Sequence, residues 1–473
     1  MEPKKLTLVF ILKESDNIIS QNNKNSKKKI IEIHNITYGG DGIGNLPSGK
    51  AIFVPKTIPG EKHLVEVVKE KKNYAYGKTV KLLHKTDERI KARCEIFEDC
   101  GGCQWQHMDY ESQKEYKEDI LKDSLNRIGK INDIEIRSII GMDYPWFYRN
   151  KAIMPVALID DEITAGFYKR GTHQVVDNHT CYIQHQLINR IKRYAIEILN
   201  QYDNISVYNE KNHAGLLRHL HIRVGVCTNQ ALLTFITTDN EFEEINEIAN
   251  RLMDEIPELV GVVRNINSKD TNVLLGEKNY AIKGQDYIND YIGKRKYKIS
   301  HDSFFQVNTI QAEKLYNIVN EYANLRGDEI IVDAFSGIGS IAIFLKENYD
   351  TVYGIESNEN AVKDSRYNAS LNNLKNCQFM QGDVTEEIPK LTAKDQKPDI
   401  VIFDPPRSGL NEEIINNVID NKIQKVIYVS CNPTTLARDL KELKKYYDIK
   451  KVQPVDMFPQ TYHVETVVLL NRK

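Results

Sequence analysis

The stretch "EIIVDAFSGIG", residues Glu329 to Gly339, decides the fold. An apolar run ends on Asp333, and Gly337 and Gly339 then free the backbone to approach a ligand before a helix begins. Only half of a dinucleotide fingerprint is present, so the loop gains its meaning from what surrounds it. Four further apolar strands, "TVYGIES", "CQFMQGD", "DIVIFDP" and "KVIYVSC", follow it in alternation with helical stretches. That is the pattern of a doubly wound parallel sheet, which carries its chemistry at the strands' carboxyl ends. After a helix from Pro433 to about Lys445 the chain adds "KKVQPVDMF" and "HVETVVLLN", close enough to pair as a hairpin.

A five-strand α/β core with a terminal hairpin is the arrangement of S-adenosylmethionine-dependent methyltransferases. Carboxylates stand at three successive strand ends. Asp333 closes the first strand, Glu356 is placed to accept hydrogen bonds from both ribose hydroxyls, and Asp383 in "QGD" to meet an adenine amino group. Strand four ends in Asp404-Pro405-Pro406-Arg407, where enzymes of exocyclic amino groups usually carry an aromatic after the prolines. Arg407 stands in its place. RNA cytosine-5 enzymes instead carry a cysteine in this loop, and none is present.

The next strand supplies a thiol, Cys431, at its carboxyl end in "VIYVSCNPTTLARDL". Carbon 5 of a pyrimidine is too weak a nucleophile to attack a methylsulfonium unaided. A thiolate added at carbon 6 creates the enolate that can. A helix starting at Pro433 is expected to favour that thiolate through its N-terminal dipole. The carbon 5 proton must then leave, which requires a base. Glu465, at the start of the final strand, is the candidate, with His463 two residues earlier and Asp404 able to orient the uracil. A glutamate facing water is the ordinary alternative.

Upstream, residues 24–93 hold 16 Lys or Arg against 7 Asp or Glu, although the formal charge of the whole chain is -2. From Ile30 to about Thr86, short β-rich runs alternate with glycine turns, as in a small closed barrel. Its lysines, with Tyr74 and Tyr76, suit phosphate contact and base stacking. A barrel that only packs against its neighbours is equally compatible with composition.

Next, "CEIFEDCGGCQWQH" brings Cys94, Cys100 and Cys103 within ten residues, and Cys181 follows in "DNHTCYIQHQ". The remaining upstream cysteine, Cys227, falls in an apolar strand. Four thiolates fit zinc or an iron-sulfur cluster, and His107 is an alternative fourth ligand for zinc. Residues 110–129 read as a helix stopped by Gly129, and residues from about 138 to 297 as an inserted α/β domain. There Arg149, Lys151 and Arg218 suit RNA contact or surface ion pairs about equally. Seven cysteines without an export signal argue against a disulfide framework, and "LTLVFIL" is too short to span a bilayer. The expected location is the cytoplasm.

These residues resemble the 23S rRNA (uracil-5-)-methyltransferases. The likeness rests on a TRAM-like barrel over 27–86 and on "CEIFEDCGGCQWQH", "YRNKA", "FFQVN", "DAFSGIG", "DPPRSGL", "SCNPTTLARDL" and "HVETVVLL", in that order. It implies a Rossmann-like class I methyltransferase domain (298–473), an OB-like TRAM barrel that binds RNA (27–86) and a central α/β domain (87–297); the Asn- and Lys-rich residues 1–26 read from composition as a flexible leader with no counterpart in the family. It implies S-adenosylmethionine contacts from Gln306, Phe335, Glu356 and Asp404, Cys431 as nucleophile and Glu465 as proton acceptor. It further implies a [4Fe-4S] cluster on Cys94, Cys100, Cys103 and Cys181. Phe335 stands where the family often has tyrosine.

The expected partner is 23S rRNA, with no DNA and no membrane, for a monomeric enzyme. Relatives that keep both barrel and cysteines yet act on tRNA supply one alternative. A non-catalytic, redox-sensing RNA-binding protein is another.

Overall fold

The computed structural model describes residues 27–270, 273–345, 348–394 and 396–473; the expected leader lies outside them. The chain forms two compact units, one of residues up to 91 with 107–109, the other of 92–106 with 110–473.

In the first unit, β1 (Lys28–Ile36), β2 (Gly42–Asn45), β3 (Ala51–Val54), β4 (Lys62–Glu70) and β5 (Tyr74–His84) close into a barrel in the order β1-β2-β3-β5-β4. Alternate residues Ile31 and Ile33 of β1 point inward and meet Ile52, Val54 and Val65. Glu61 is fully buried beneath them. Burial would raise its carboxyl, but hydrogen bonds from Arg89, His63 and the Ile58 N–H outweigh that and hold it at about 2. The barrel is therefore pinned by a satisfied buried carboxylate as well as by its aliphatic core.

The second unit opens, after its cysteine segment, with α1 (Tyr110–Ser124), which widens into a π turn, Leu125–Gly129. The left-handed stop is Lys130 (φ 52°), whose N–H donates to the Leu125 carbonyl, and not Gly129 as expected. A seven-stranded sheet follows, built from β6 (Lys151–Ile159), β7 (Glu162–Tyr168), β8 (Val175–Asp177), β9 (Leu217–Val224), β10 (Ala231–Thr237), β11 (Leu259–Ile266) and β12 (Lys278–Gly284), in the order β12-β11-β10-β9-β6-β7-β8. Helices α2 (Gln186–Leu199) and α3 (Ile245–Glu255) pack on it through Ile188, Ile191, Ile248 and Leu252. Cys227 lies in the exposed turn between β9 and β10 rather than in a strand, because Asp290 accepts hydrogen bonds from the Val226 and Cys227 N–H groups and fixes that turn.

A hairpin, β13 (Tyr287–Ile292) and β14 (Arg295–Ser300), leads into α4 (Thr309–Ala323) and the last sheet. The expected boundary at 297 falls inside β14, and one apolar core joins Leu232 and Val263 of the central sheet to the hairpin, α4 and the sheet beyond. Continuous burial is what merges the two expected domains into one unit.

The final sheet comprises β15 (Ile330–Ala334), β16 (Thr351–Glu356), β17 (Cys377–Gln381), β18 (Ile400–Phe403), β19 (Lys425–Ser430), β20 (Tyr447–Val455) and β21 (Glu465–Arg472), in the order β17-β16-β15-β18-β19-β21-β20. The first five are parallel, and β21 runs antiparallel between β19 and β20. All four β18 residues are buried, as a parallel strand covered on both faces requires. The connecting helices are α5 (Ser340–Phe344), α6 (Glu359–Leu371), α7 (Val384–Ala393), α8 (Glu412–Asp420) and α9 (Pro433–Leu443). Residues 110–140, expected in the central domain, add an outer layer here. Leu121, Leu125 and Ile131 share a core with Leu436, Ala437 and Leu440 of α9, and Ile136 and Ile140 bridge to Val452 and Val455 of β20.

Candidate active site

The strand order reverses between β15 and β18, so a cleft opens at their carboxyl ends. The loop after β15 is bent to leave it open. Phe335 adopts φ 66°, Gly337 55° and Gly339 79°, all left-handed. A side chain at Gly339 would strike the Phe379 ring at 2.7 Å, whereas a Cβ on Gly337 would meet nothing within 4 Å. Gly339 is thus fixed by packing, and Gly337 borders vacant space. A phenylalanine held at positive φ is strained, and such strain is kept where geometry is functional.

Glu356, at the end of β16, accepts the Gly337 N–H at 3.0 Å and the Asn358 N–H at 2.8 Å, which sets its carboxylate beside the open loop. On the opposite side of the reversal Asp404 follows β18. The Gln306 amide donates to it at 3.4 Å, and Gln306 is itself held through its carbonyl by Asn150 at 2.8 Å. Gln306 thus touches Asp404 on one side of the strand reversal, while Glu356 holds the loop that follows Phe335 on the other. Asp383 caps α7 instead, its Oδ1 accepting both the N–H and the hydroxyl of Thr385. That oxygen is committed to the helix cap.

Cys431 follows the last residue of β19. In the β19–β21 register Ser430 lies opposite Thr466, so one further step sets Cys431 opposite Glu465. Glu465 is 5% exposed, and burial, reinforced by the charge of Asp404 and opposed by Arg407, pushes its carboxyl up to about 8. Asp404 is pushed up to about 7 and Asp333 to about 8, each chiefly by burial. Arg407 reaches Nε2 of His463 at 3.3 Å. His463 accepts that bond, since burial, aided by Arg407, depresses its pKa to about 3 and keeps it neutral.

The dipole of α9, expected to favour the Cys431 thiolate, acts against burial and neighbouring charge. Asn432 does cap α9, accepting the Thr434 N–H at 3.0 Å. Yet burial, followed by the charges of Glu465 and Asp404, raises the thiol to about 12, and Arg407 only partly offsets them. The protein rests with a protonated thiol among carboxyls that themselves hold protons near neutral pH. Bringing a cation beside Asp404 would lower both the carboxyls and the thiol.

A second cavity, of about 370 Å³, is lined by Cys94, Cys100, Cys103 and Cys181 together with Arg149 and Lys151. No disulfide joins these cysteines. Burial raises Cys103 well above the ordinary thiol range, with further contributions from Cys181, Cys100 and Cys94, and raises Cys181 to about 11. The thiols thus feel one another's charge, although among the described residues no three His, Cys, Asp or Glu gather closely enough for a single metal ion. His107 belongs to the barrel unit, where burial and the charge of Arg89 lower it to about 3. No helix among the described residues is long and apolar enough to cross a membrane.

Sequence reasoning missed Arg407 as a partner of His463 and the network behind Glu465. Lys117 of α1 and Asp456 form a fully buried ion pair at 2.6 Å, with Tyr110 donating to Asp456 at 2.9 Å. Gln113 bonds both the backbone and side chain of Gln460, and the N–H groups of Gln104 and Trp105 donate to the Gln460 carbonyl. The segment before β21 is held by residues over three hundred positions away. The available signal was a lysine amid the polar face of α1, and nothing in the sequence distinguishes it from a solvated one.

Comparison with known proteins bears on the whole chain. Residues 110–473 match the family model described as tRNA (Uracil-5-)-methyltransferase, and residues 27–80 match the TRAM domain. An uncharacterized RNA methyltransferase of Halalkalibacterium halodurans is 40% identical over 451 residues, covering 95% of this chain and 98% of that protein. Another, of Bacillus cereus, is 41% identical over 453 residues, covering 94% and 97%. Among solved structures, the Pyrococcus abyssi tRNA (uracil-54, C5)-methyltransferase in complex with S-adenosyl-L-homocysteine superposes with a TM-score of 0.75 at 28% identity, covering 93% of this chain and 99% of that one.

Proposed function

Because the chain belongs to the tRNA (uracil-5-)-methyltransferase family of S-adenosylmethionine-dependent RNA methyltransferases, we propose that it methylates carbon 5 of a uridine in 23S rRNA through a covalent adduct on Cys431. The observation that carries this reading is the β19–β21 register, which faces Cys431 with Glu465 beside Asp404 and Arg407.

The open loop at Gly337, the Glu356 carboxylate beside it and Asp404 across the strand reversal fit the ribose and the cationic sulfonium of S-adenosylmethionine, which when bound supplies an electrophilic methyl group. Gln306, Phe335, Glu356 and Asp404 hold it. A uridine flipped from its stack meets Cys431, whose sulfur bonds to carbon 6 as the electron pair moves onto the carbon 5 enolate. Carbon 5 would then bond the methyl carbon as the methyl–sulfonium bond breaks, its electron pair going to sulfur and S-adenosylhomocysteine leaving. Glu465 removes the carbon 5 proton, and the returning electron pair expels the sulfur of Cys431. A carboxyl raised to about 8 is a stronger base than an exposed one, which suits this proton.

We assign a [4Fe-4S] cluster to Cys94, Cys100, Cys103 and Cys181. Support comes from their sharing one cavity with Arg149, whose cation suits an anionic thiolate-bound cluster. Anaerobic protein should contain iron and sulfide and absorb in the visible, and Cys103→Ser should lose both. Iron-free, colourless protein from cells replete in iron would remove the assignment.

Barrel and cysteine segment together favour large-subunit RNA. The Pyrococcus abyssi structure, sharing 93% of this chain, favours a tRNA uridine as the second reading. A non-catalytic redox sensor has no support from an enzymatic family. We place the enzyme in the cytoplasm as a monomer.

The deciding experiment incubates the protein and S-adenosylmethionine with 5-fluorouridine-substituted 23S rRNA fragments and tRNA. Fluorine cannot leave as a proton, so an adduct stable to denaturing electrophoresis is expected on the rRNA and absent with Cys431→Ala. An adduct on tRNA alone would overturn the substrate. No adduct on either, with cofactor binding intact, would overturn the covalent mechanism.

A further inference from the structure

A third cavity, of about 520 Å³, lies in the central sheet among β6, β7, β8 and the start of β9, and the mechanism above makes no use of it. Its lining combines aromatic faces with placed polar groups. Tyr168 lies beside His173 in a tilted pair, with ring centroids 5.3 Å apart and planes at 34°. Tyr208 is backed by the Arg218 guanidinium, 4.3 Å from its centroid. Arg218 is fixed there by two backbone carbonyls, those of Asn267 at 2.5 Å and Lys269 at 3.0 Å.

Between these aromatics sits one carboxylate. Glu210 accepts the Tyr168 hydroxyl at 3.3 Å through one oxygen and bonds His173 at 2.6 Å through the other. Each oxygen retains a second lone pair, so the group is oriented and can still accept from a ligand. His219 is 7% exposed, and its Nδ1 has no hydrogen-bond partner. Burial, with the charge of Arg218, lowers its pKa to about 4 and leaves a neutral ring. A buried polar atom without a partner costs free energy unless a ligand or water satisfies it.

Stacking faces beside a two-oxygen acceptor are the chemistry of nucleobase recognition. Of the four RNA bases, only guanine offers two adjacent donors on its Watson–Crick edge, N1–H and the exocyclic amine, to match both oxygens of a carboxylate. The position suits RNA as well. The cavity's share of β6 begins at Pro155, and Lys151, four residues earlier, is paired with Arg223 next to the Asn150 that holds Gln306. At about 3.3 Å per residue the cavity starts roughly 13 Å from that end of the strand.

We propose that this cavity is a base-reading subsite for an unpaired guanine of the RNA substrate, separate from the target uridine; the proposal rests on the RNA reading given above. The full chain, with its cofactor site saturated by S-adenosylhomocysteine, is titrated with GMP, AMP, CMP and UMP by calorimetry or saturation-transfer NMR. GMP should bind at least tenfold tighter than CMP, and Glu210→Gln and Tyr208→Ala should each weaken GMP tenfold or more while S-adenosylhomocysteine binding stays unchanged. The same variants should raise KM for the RNA fragment that is methylated and leave kcat alone.

GMP binding that ignores both substitutions, or no binding at millimolar GMP, overturns the subsite. Selective GMP binding with an unchanged RNA KM overturns its role in RNA and leaves a site for free guanine nucleotide. Selective GMP binding in a protein that methylates neither rRNA nor tRNA removes the substrate reading while the pocket chemistry stands, so the two failures are distinguishable.

Discussion

Glu465 ties acidity, stability and catalysis together at one position. Its carboxyl is raised to about 8 in the folded protein, against roughly 4.3 in an unfolded chain. Between those values the folded state holds a proton that the unfolded state has released, so its contribution is complete at acid pH and is lost as pH rises through about 8. Glu465→Gln, which cannot ionise, should therefore stabilise the ligand-free protein at pH 8.5 relative to wild type by at least about 1.4 kcal/mol, the equivalent of one pKa unit. Chemical denaturation at pH 8.5 and at pH 5 checks this, since the gain should shrink at pH 5. The same variant should lose about 10²- to 10⁴-fold in kcat, the usual worth of a positioned base, and accumulate a protein–RNA adduct on ordinary uridine. For the wild type, kcat should rise with pH as Glu465 ionises, and Glu465→Gln should remove that limb; identical pH profiles for the two proteins would sink Glu465 as the base. The placement of Cys431 and Glu465 at strand ends was legible in the sequence. The direction of the thiol's shift was not, because it depends on how far burial and two carboxyls outweigh a helix terminus, and that balance is set by the fold.

Elements explain why some parts were readable and others were not. Strands β15, β16, β18 and β19 are covered on both faces and so read as apolar runs, and the glycine loop after β15 announces its own geometry. Gly339→Ala should both force φ 79° on a residue with a Cβ and drive that Cβ into Phe379, so cofactor affinity should fall at least tenfold, with thermal stability lowered in parallel. Calorimetric titration with S-adenosylhomocysteine measures the first. The Lys117–Asp456 pair belongs to two elements far apart in the chain and left no local mark. Asp456→Ala strands a fully buried ammonium and should cost about 3–5 kcal/mol by denaturant unfolding, whereas Lys117→Met combined with Asp456→Leu should cost much less, because no charge is then left buried alone. The π turn and Lys130 stop at the end of α1 were missed for a similar reason, since packing against α9, not local propensity, decides them.

At the scale of the whole molecule, charge is divided between the two units. The barrel's exposed Lys69, Lys71 and Lys72 lie at and just beyond the end of β4, and TRAM membership implies that this domain binds RNA. Replacing all three with Ala should weaken RNA binding and flatten the plot of log Kd against log salt by about two, at roughly 0.7 per phosphate contact for single strands, without touching S-adenosylhomocysteine affinity. An unchanged slope would take the barrel's lysines out of the interface. The sequence composition showed this asymmetry plainly, whereas the fusion of the central and last sheets into one unit was invisible, because it is made by side chains of Leu232, Val263 and α4 meeting in three dimensions. One topological detail reaches beyond catalysis. β21 follows β20 in the chain yet is seated between β20 and β19, so β20 joins the sheet only when β21 slides into place. As the polypeptide is translated, the nucleophile of β19 emerges well before the base of β21, and non-local pairing of this kind closes late. The strand that carries Glu465 is therefore the last to enter the sheet, and Cys431 and Glu465 come face to face only in the step that completes it.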